Sequence, residues 1–169
     1  VGGVGCVEYL HMVQQQDLNF MGIVHGGVAM TVMDEAAGVA AYRHARAPMW
    51  TVGVEDVSLI SPVKPGELMV AHARVIYSSA RAVEVLVEVH AEELFTGACR
   101  PTHRGRFIFV SADARVSIPR FVPSTPEEQE LHAEAVARHE DRRKRKAAAA
   151  AAAKGSSGSP PPCSSSQVS

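Results

Sequence analysis

The feature that most constrains the fold is a run of small and apolar residues from about Gly27 to His44. Apolar residues in this run recur at spacings of three and four, which predicts an α-helix. They include Val28, Val32, Ala36, Val39 and Ala40. Because Met and small residues fill most other positions, the predicted helix is apolar nearly all round and has to be buried by other elements. Pro48 marks its end.

After this helix, apolar residues alternate with polar ones, as in strands that bury one face. The alternating segments span about 51–60, 67–77, 83–90 and 104–111, and a weaker strand signal covers 4–13 before the helix. Short connections such as Pro65-Gly66 favour an antiparallel meander with one polar face. A curved antiparallel sheet wrapped around the helix would bury it, so the predicted fold class is α+β.

A second helix is predicted to begin near Thr125, because Thr125, Pro126 and Glu128 form a capping-box pattern. Its apolar stripe is thin, which favours a position at the surface or at a subunit edge. That stripe consists of Leu131, Ala135 and Val136.

The basic run "RRKRK" at 142–146 is interpreted as the C-terminal end of this helix, where cations complement the helix dipole. The two alternatives are a nuclear-import address and a contact with acidic lipid. Residues 147–169 are seven alanines followed by a Ser- and Pro-rich segment. This tail is predicted to be disordered beyond a helical extension through the alanines, and Cys163 within it is predicted to be inert.

The overall composition narrows the functional classes. A chain of 169 residues has room for one domain and a tail, and its net charge of -1 gives no general attraction to nucleic acid. No apolar run approaches the ~18 residues that span a bilayer. Cys6, Cys99 and Cys163 show neither a disulfide framework nor metal-ligand spacing, which favours a reducing compartment. The first residue is Val1, which is compatible with a removed targeting segment.

An acid on the predicted buried helix requires a physical reason, because a buried carboxylate without a partner is costly. Asp34 shares a helix face with Gly27 and Met30. Gly26 and Gly27 open the helix, where free backbone N–H groups favour an oxygen that gains negative charge, about 10 Å from Asp34. Such a pairing suits hydrolysis of an activated carbonyl, for example a thioester. The amides would hold the oxyanion and the carboxylate would act as general base or nucleophile.

Ordinary structural roles remain open for each of these residues. Asp34 is alternatively an acid that reaches solvent or pairs with Arg43 or Arg46. The adjacent Glu35 is interpreted as an exposed or paired acid. The ordinary role for His25 is turn formation or helix capping, and for Asn19 it is turn formation.

The motif Asn19-x-x-Gly22-x-x-His25-Gly26-Gly27, followed by "MDEAAG", resembles the hotdog-fold acyl-CoA thioesterases, in particular the cytosolic acyl-CoA hydrolase family. The likeness continues through "VEDVSLISPVKPGE", "ARVIYSSARAVEVLVEV" and "PRFVPSTPEEQELHAEAVAR", and covers about residues 5–146. It implies a hotdog domain at 1–122, a C-terminal helix at 123–146 and a tail at 147–169.

The resemblance also implies an activity and an assembly. The expected reaction is hydrolysis of fatty acyl-CoA to fatty acid and CoA, with CoA entering only as part of the substrate and with no metal or other cofactor. The expected assembly is a homo-oligomer, a dimer or a trimer of dimers, whose site combines Asn19 of one subunit with Asp34 of another. The expected location is the cytoplasm, with mitochondria as the alternative.

By position in the family motif, Asp34 would activate water and Asn19 would orient the water or the thioester carbonyl. Gly27, with Gly26, would stabilise the oxyanion, and His25 occupies the position of the histidine in the family's His-Gly-Gly sequence. The resemblance places the connection that contains Ser78, Ser79 and Arg81 near the CoA nucleotide, where Arg can pair with phosphate. Without the resemblance, this connection is an ordinary hairpin link. Two other functions remain open: an enoyl-CoA hydratase or dehydratase, and a non-catalytic subunit that binds acyl-CoA.

Overall fold

The structure, a computed structural model, describes residues 5–155 as one antiparallel sheet and two α-helices. The elements in chain order are β1 (Cys6–Met12), a 3-10 turn (Gln15–Asp17), α1 (Gly26–Ala45), β2 (Met49–Leu59), β3 (Glu67–Ser78), β4 (Ala82–Glu93), β5 (Ala98–Ser111) and α2 (Pro126–Gly155). The sheet order is β1-β3-β4-β5-β2, and α1 contacts all five strands. The predicted α+β class is confirmed.

Close packing between α1 and the sheet forms the core. The helix contributes small residues with no exposed surface, and the facing side of β4 contributes a row of valines. These residues are Ala29, Ala36, Ala37, Ala40 and Ala41 on α1, and Val83, Val85, Val87 and Val89 on β4. Gly105 on β5 allows the closest approach, since a Cβ there would lie 3.0 Å from Cε of Met33.

The expectation that α1 is buried all round is wrong for the single chain. One sheet covers one side of a helix, and the opposite side of α1 remains exposed. Its exposed residues include Thr31, Glu35, Val39 and Tyr42.

The expected meander is present only in part. Strands β3, β4 and β5 follow one another in the sheet, but β2 pairs with β5 and forms the far edge. The expectation of one polar face also needs correction, because Leu86 and Glu84 on the outer face of β4 are buried. Leu86 packs against Ala135 of α2, and Nε of Arg106 lies 3.5 Å from Oε1 of Glu84.

The predicted capping box begins α2. The Glu128 N–H donates to the Thr125 hydroxyl at 3.2 Å, and the Thr125 N–H donates back to the Glu128 carboxylate at 3.2 Å. The helix then continues through the alanine run to Gly155, so the basic run at 142–146 lies inside it. The dipole explanation of that run is therefore wrong, because the dipole acts within about the last helical turn.

Contacts divide the chain into one compact unit up to Ala135 and a second unit from Val136. The predicted boundaries at 122 and 146 stay predictions. Residues 156–169 of the predicted tail, with Cys163, lie outside the described residues. Within residues 5–155, neither helix is long and apolar enough to cross a bilayer.

Asp17 organises the loop that leads into α1. Although it is an acid, its exposed fraction is 7%. Oδ2 of Asp17 accepts from the Gln14 N–H at 2.8 Å and lies 2.9 Å from Nε2 of His11, while its carbonyl accepts from the His25 N–H at 2.8 Å. The bond from the Gln14 N–H, and then His11, lower the pKa of Asp17 against the opposing effect of burial. This one residue therefore ties the start of α1 to β1.

We predict that Met33→Ala lowers the free energy of unfolding by about 2–5 kcal/mol, because it leaves a cavity between α1 and β5. Met12→Ala, at a position on edge strand β1 that is 49% exposed, is the matched control and should change it by less than about 0.5 kcal/mol. Chemical denaturation monitored by circular dichroism measures both. Equal losses in the two variants would contradict the tight helix–sheet interface.

We predict that Asp17→Asn lowers stability at neutral pH by roughly 1.5–3 kcal/mol, because a buried charged acceptor is lost. A depressed folded-state pKa stabilises the protein above the unfolded value of about 3.9, and this contribution disappears as pH falls through the folded value. The stability difference from the wild type should therefore shrink in acid. Urea denaturation at pH 7 and at lower pH tests this, with the exposed Glu130→Gln as control. A difference that is independent of pH would contradict it.

Candidate functional site

Asn19 lies in a tight turn that its own side chain stabilises. Oδ1 accepts from the backbone N–H of Met21 at 2.9 Å and of Ile23 at 3.4 Å. Gly22, with a φ of 74°, completes the turn through its N–H bond to the Asn19 carbonyl at 2.9 Å. Within residues 5–155 the side-chain NH2 of Asn19 has no partner. The turn thus leaves a fixed hydrogen-bond donor for a molecule from outside.

The start of α1 is capped by His25. Nδ1 of His25 accepts from the Gly27 N–H at 3.0 Å, which makes its ordinary interpretation as a capping residue correct in this structure. The bond also occupies one of the two amides expected to hold an oxyanion. In the described part of the chain the Gly26 N–H has no hydrogen-bond partner, so Gly26 offers the open donor at this helix end.

Asp34 is half-buried in the middle of α1 and is held by a strand. The Thr51 hydroxyl on β2 donates to Oδ1 of Asp34 at 2.9 Å. Among residues 5–155, Asp34 forms no ion pair, so the alternative pairing with Arg43 or Arg46 is absent. Arg43 instead donates to the Cys6 carbonyl at 3.3 Å. One carboxylate oxygen is therefore anchored while the other remains available.

Thr51 was not identified from the sequence. A threonine in an alternating segment is an ordinary strand residue, and its contact with Asp34 depends on where β2 lies against α1. Its sequence separation from Asp34, 17 residues, gives no local signal.

The neighbouring acid Glu35 has a different environment. It is exposed and accepts a 2.5 Å hydrogen bond from the Tyr9 hydroxyl on β1, as its interpretation as a paired acid requires. This bond, followed by burial, raises the pKa of Tyr9. Two adjacent acids thus point to opposite edges of the sheet, Glu35 towards β1 and Asp34 towards β2.

The three residues predicted near CoA have separate surroundings. Ser78 is buried, and its hydroxyl donates to the Pro119 carbonyl at 2.8 Å and accepts from the Phe121 N–H at 2.6 Å. The Ser79 hydroxyl accepts from backbone N–H groups of its own turn. Arg81 is exposed and donates to the Ala114 carbonyl at 3.0 Å. Of the three, Arg81 has the remaining donors that a phosphate needs.

Among residues 5–155, no hydrogen bond or ion pair joins Asn19 to Asp34. The side chain of Asn19 forms its hydrogen bonds within its own turn. Along the axis of α1, Asp34 lies about 12 Å from Gly26. Two clefts of about 650 and 500 Å³ include neither Asn19 nor Asp34. Among residues 5–155, no cluster of three His, Cys, Asp or Glu side chains is arranged to hold a metal.

The surface around these groups is strongly apolar. Strand β2 forms a sheet edge, with one side unpaired, and most of its large apolar side chains are exposed. They are Trp50, Val52, Val54, Val57 and Leu59, with Ile60 directly after the strand. Phe20, in the Asn19 turn, is 98% exposed. Exposed apolar surface of this extent on an edge strand is typical of a protein–protein contact.

Known proteins share both this sequence and this fold. Residues 21–98 match the model of the thioesterase superfamily. An uncharacterized acyl-CoA thioester hydrolase of Bacillus subtilis is 31% identical over 129 residues, which cover 75% of this chain and 75% of that one. The cytosolic acyl coenzyme A thioester hydrolase of Homo sapiens is 27% identical over 135 residues, or 77% of this chain and 36% of that one. The chain thus spans about a third of that relative's length.

The likeness extends to solved structures. The crystal structure of an apo-hexameric acyl-CoA thioesterase superposes with a TM-score of 0.78 and 28% identity, and the match covers 85% of this chain and 94% of that chain. The predicted hotdog fold, a long helix packed on an antiparallel sheet, is thereby confirmed. On its sequence and its fold, the chain belongs to the thioesterase superfamily, among the acyl-CoA thioester hydrolases.

Proposed function

We propose that this protein hydrolyses fatty acyl-CoA thioesters to a fatty acid and CoA. The observation that carries the proposal is the Asp34 carboxylate, held at one oxygen by Thr51 and free of any ion pair within residues 5–155. A general base needs one accessible oxygen in a fixed orientation, and this arrangement supplies it. Membership of the acyl-CoA thioester hydrolases supports the same substrate class.

In the proposed reaction, Asp34 takes a proton from a water molecule as that water attacks the thioester carbon. The carbonyl oxygen gains negative charge and is stabilised by the Gly26 N–H at the positive end of α1. The Gly27 N–H joins it when His25 rotates away from its capping position. The carbon–sulfur bond then breaks, and the thiolate of CoA recovers the proton from Asp34. Because a thiolate leaves readily, the reaction uses no metal or other cofactor.

The proposed site is shared between two subunits. No hydrogen bond joins Asn19 to Asp34 within residues 5–155 of one chain, and apolar surface on β2 and at Phe20 adjoins them. Pairing of β2 with β2 of a second copy would cover that surface and extend the sheet. The Asn19 side-chain NH2 of one subunit would then orient the water or carbonyl near Asp34 of the other. A dimer, or a trimer of dimers like the hexameric relative, fits this arrangement.

The CoA moiety is proposed to lie near the β3–β4 connection. Arg81 would pair with a phosphate, and Ser79 would flank it. Ser78 would contribute only if its buried hydroxyl exchanged its present partners. The cytoplasm is the proposed location, in agreement with the name of the human relative, a cytosolic hydrolase.

The two alternative functions, an enoyl-CoA hydratase or dehydratase and a non-catalytic subunit that binds acyl-CoA, would give different results in the same assay. A hydratase would convert an enoyl-CoA without releasing CoA. A non-catalytic subunit would bind acyl-CoA and leave it intact.

We predict that Asp34→Asn lowers kcat for acyl-CoA hydrolysis by about 10²–10⁴-fold, because the amide cannot accept the proton of water. The matched control is Glu35→Gln at the adjacent exposed acid, which should remain within about threefold of wild type. Release of free thiol from a series of acyl-CoA chain lengths measures both. Normal turnover in Asp34→Asn would refute the proposed base.

We predict that subunits carrying Asn19→Ala and subunits carrying Asp34→Ala are each nearly inactive alone but regain activity when co-expressed. In a mixed dimer one of the two sites contains both intact residues, so the isolated mixed dimers should recover about half of wild-type activity. Two different affinity tags isolate the mixed oligomers before assay. If both residues acted within one subunit, every site would lack one of them and no activity would return.

A further inference from the structure

A run of five consecutive cations lies inside α2. Arg142, Arg143, Lys144, Arg145 and Lys146 form this basic segment. They lie nine or more residues before the helix end at Gly155, beyond the reach of the dipole. The last four are exposed, and within residues 5–155 none of these four forms an ion pair.

Like charges three and four residues apart within the basic segment, such as Arg143 and Lys146, repel each other on the helix surface. Glu140 and Asp141 stand at the spacing that offsets part of this repulsion. Five consecutive residues advance 100° each, so the charge surrounds the helix completely. The following alanines, the best helix formers, keep the segment helical in spite of this repulsion. A polyanionic partner would relieve it.

The acidic and basic residues are unevenly distributed between the two parts of the chain. Residues 1–135 contain 16 acids and 10 Lys or Arg, a formal charge of -6, whereas residues 136–169 contain 2 acids and 7 Lys or Arg, a charge of +5. The net charge of -1 conceals this division. Attraction to an anionic surface is therefore confined to the C-terminal part of the chain.

We propose that the basic segment attaches the protein to anionic lipid surfaces. Nucleic acid is the less suitable polyanion, because residues 136–155 contain no Phe, Tyr or Trp to stack on unpaired bases. A lipid surface requires only charge. A helix that is basic all round does not insert an apolar face, so the attachment is electrostatic and reversible.

The expected strength follows from the number of cations. Each Lys or Arg near an anionic surface strengthens binding about fivefold at low salt, and the effect falls off within a Debye length of about 8 Å in physiological salt. An oligomer presents several basic segments at once, which multiplies the effect. Lipid attachment would also bring the enzyme to its proposed substrates, since fatty acyl chains partition into bilayers.

The test is co-sedimentation of the full chain with lipid vesicles, without substrate. Wild type should bind phosphatidylcholine vesicles that contain about 30% phosphatidylserine at least tenfold more strongly than vesicles of phosphatidylcholine alone, and added salt should release it. Changing all five cations to Gln should abolish the difference. The matched control is Arg142→Lys with Arg143→Lys and Arg145→Lys, which keeps the charge and should keep the binding.

Three results would overturn the proposal: no preference of wild type for anionic vesicles, equal binding by the five-Gln variant, or loss of binding in the all-Lys variant. Tighter binding to a duplex DNA oligonucleotide than to anionic vesicles would also overturn it. The proposal is separate from the proposed hydrolysis, because vesicle binding is measured without turnover. The five-Gln variant should hydrolyse a short, water-soluble acyl-CoA at the wild-type rate.

Discussion

The close contact between α1 and the sheet governs the rest of the molecule. Alanines along α1 and the valines of β4 bring the two layers together. Gly105 lacks a side chain and so lets Met33 of α1 pack directly against β5. A helix seated this closely has little rotational freedom. Its two acids are therefore fixed in direction, and Asp34 faces β2 while Glu35 faces β1. The orientation of the proposed base is thus a consequence of core packing.

The same geometry explains why the proposed site needs a second chain. One five-stranded sheet covers one side of α1 and ends at β2, whose apolar side chains remain exposed. Within residues 5–155 no hydrogen bond joins the Asn19 turn to Asp34, and Gly26 precedes Asp34 by about 12 Å along the helix. Each half-site is well ordered by its own hydrogen bonds, which is the condition for assembling a precise site at an interface.

The sequence predicts local structure well and long-range placement poorly. The helix expected from about Gly27 to His44 is observed as Gly26–Ala45, because apolar and small residues fill it without a break and Pro48 follows its end. The capping box of α2 likewise depends on residues three apart. The position of β2 beside β5 depends on contacts far apart in sequence, which the strand pattern does not encode. The contact of Thr51 with Asp34 could not be predicted from the sequence for the same reason. The role of Asp17 could not be predicted either, because an acid in a loop segment is usually exposed. The catalytic roles of Asn19 and Asp34, which come from the family motif, remain predictions.

Asp34 of one subunit and Asn19 of another are proposed to bind the same attacking water molecule. The most direct measurement is the distance between these two side chains in an experimentally determined structure of the assembled protein. If the two side chains share one water, they should lie across one cleft, close enough for that water to bridge them, about 5–6 Å apart. Asp34 facing bulk solvent, or the two side chains lining separate clefts, would contradict it.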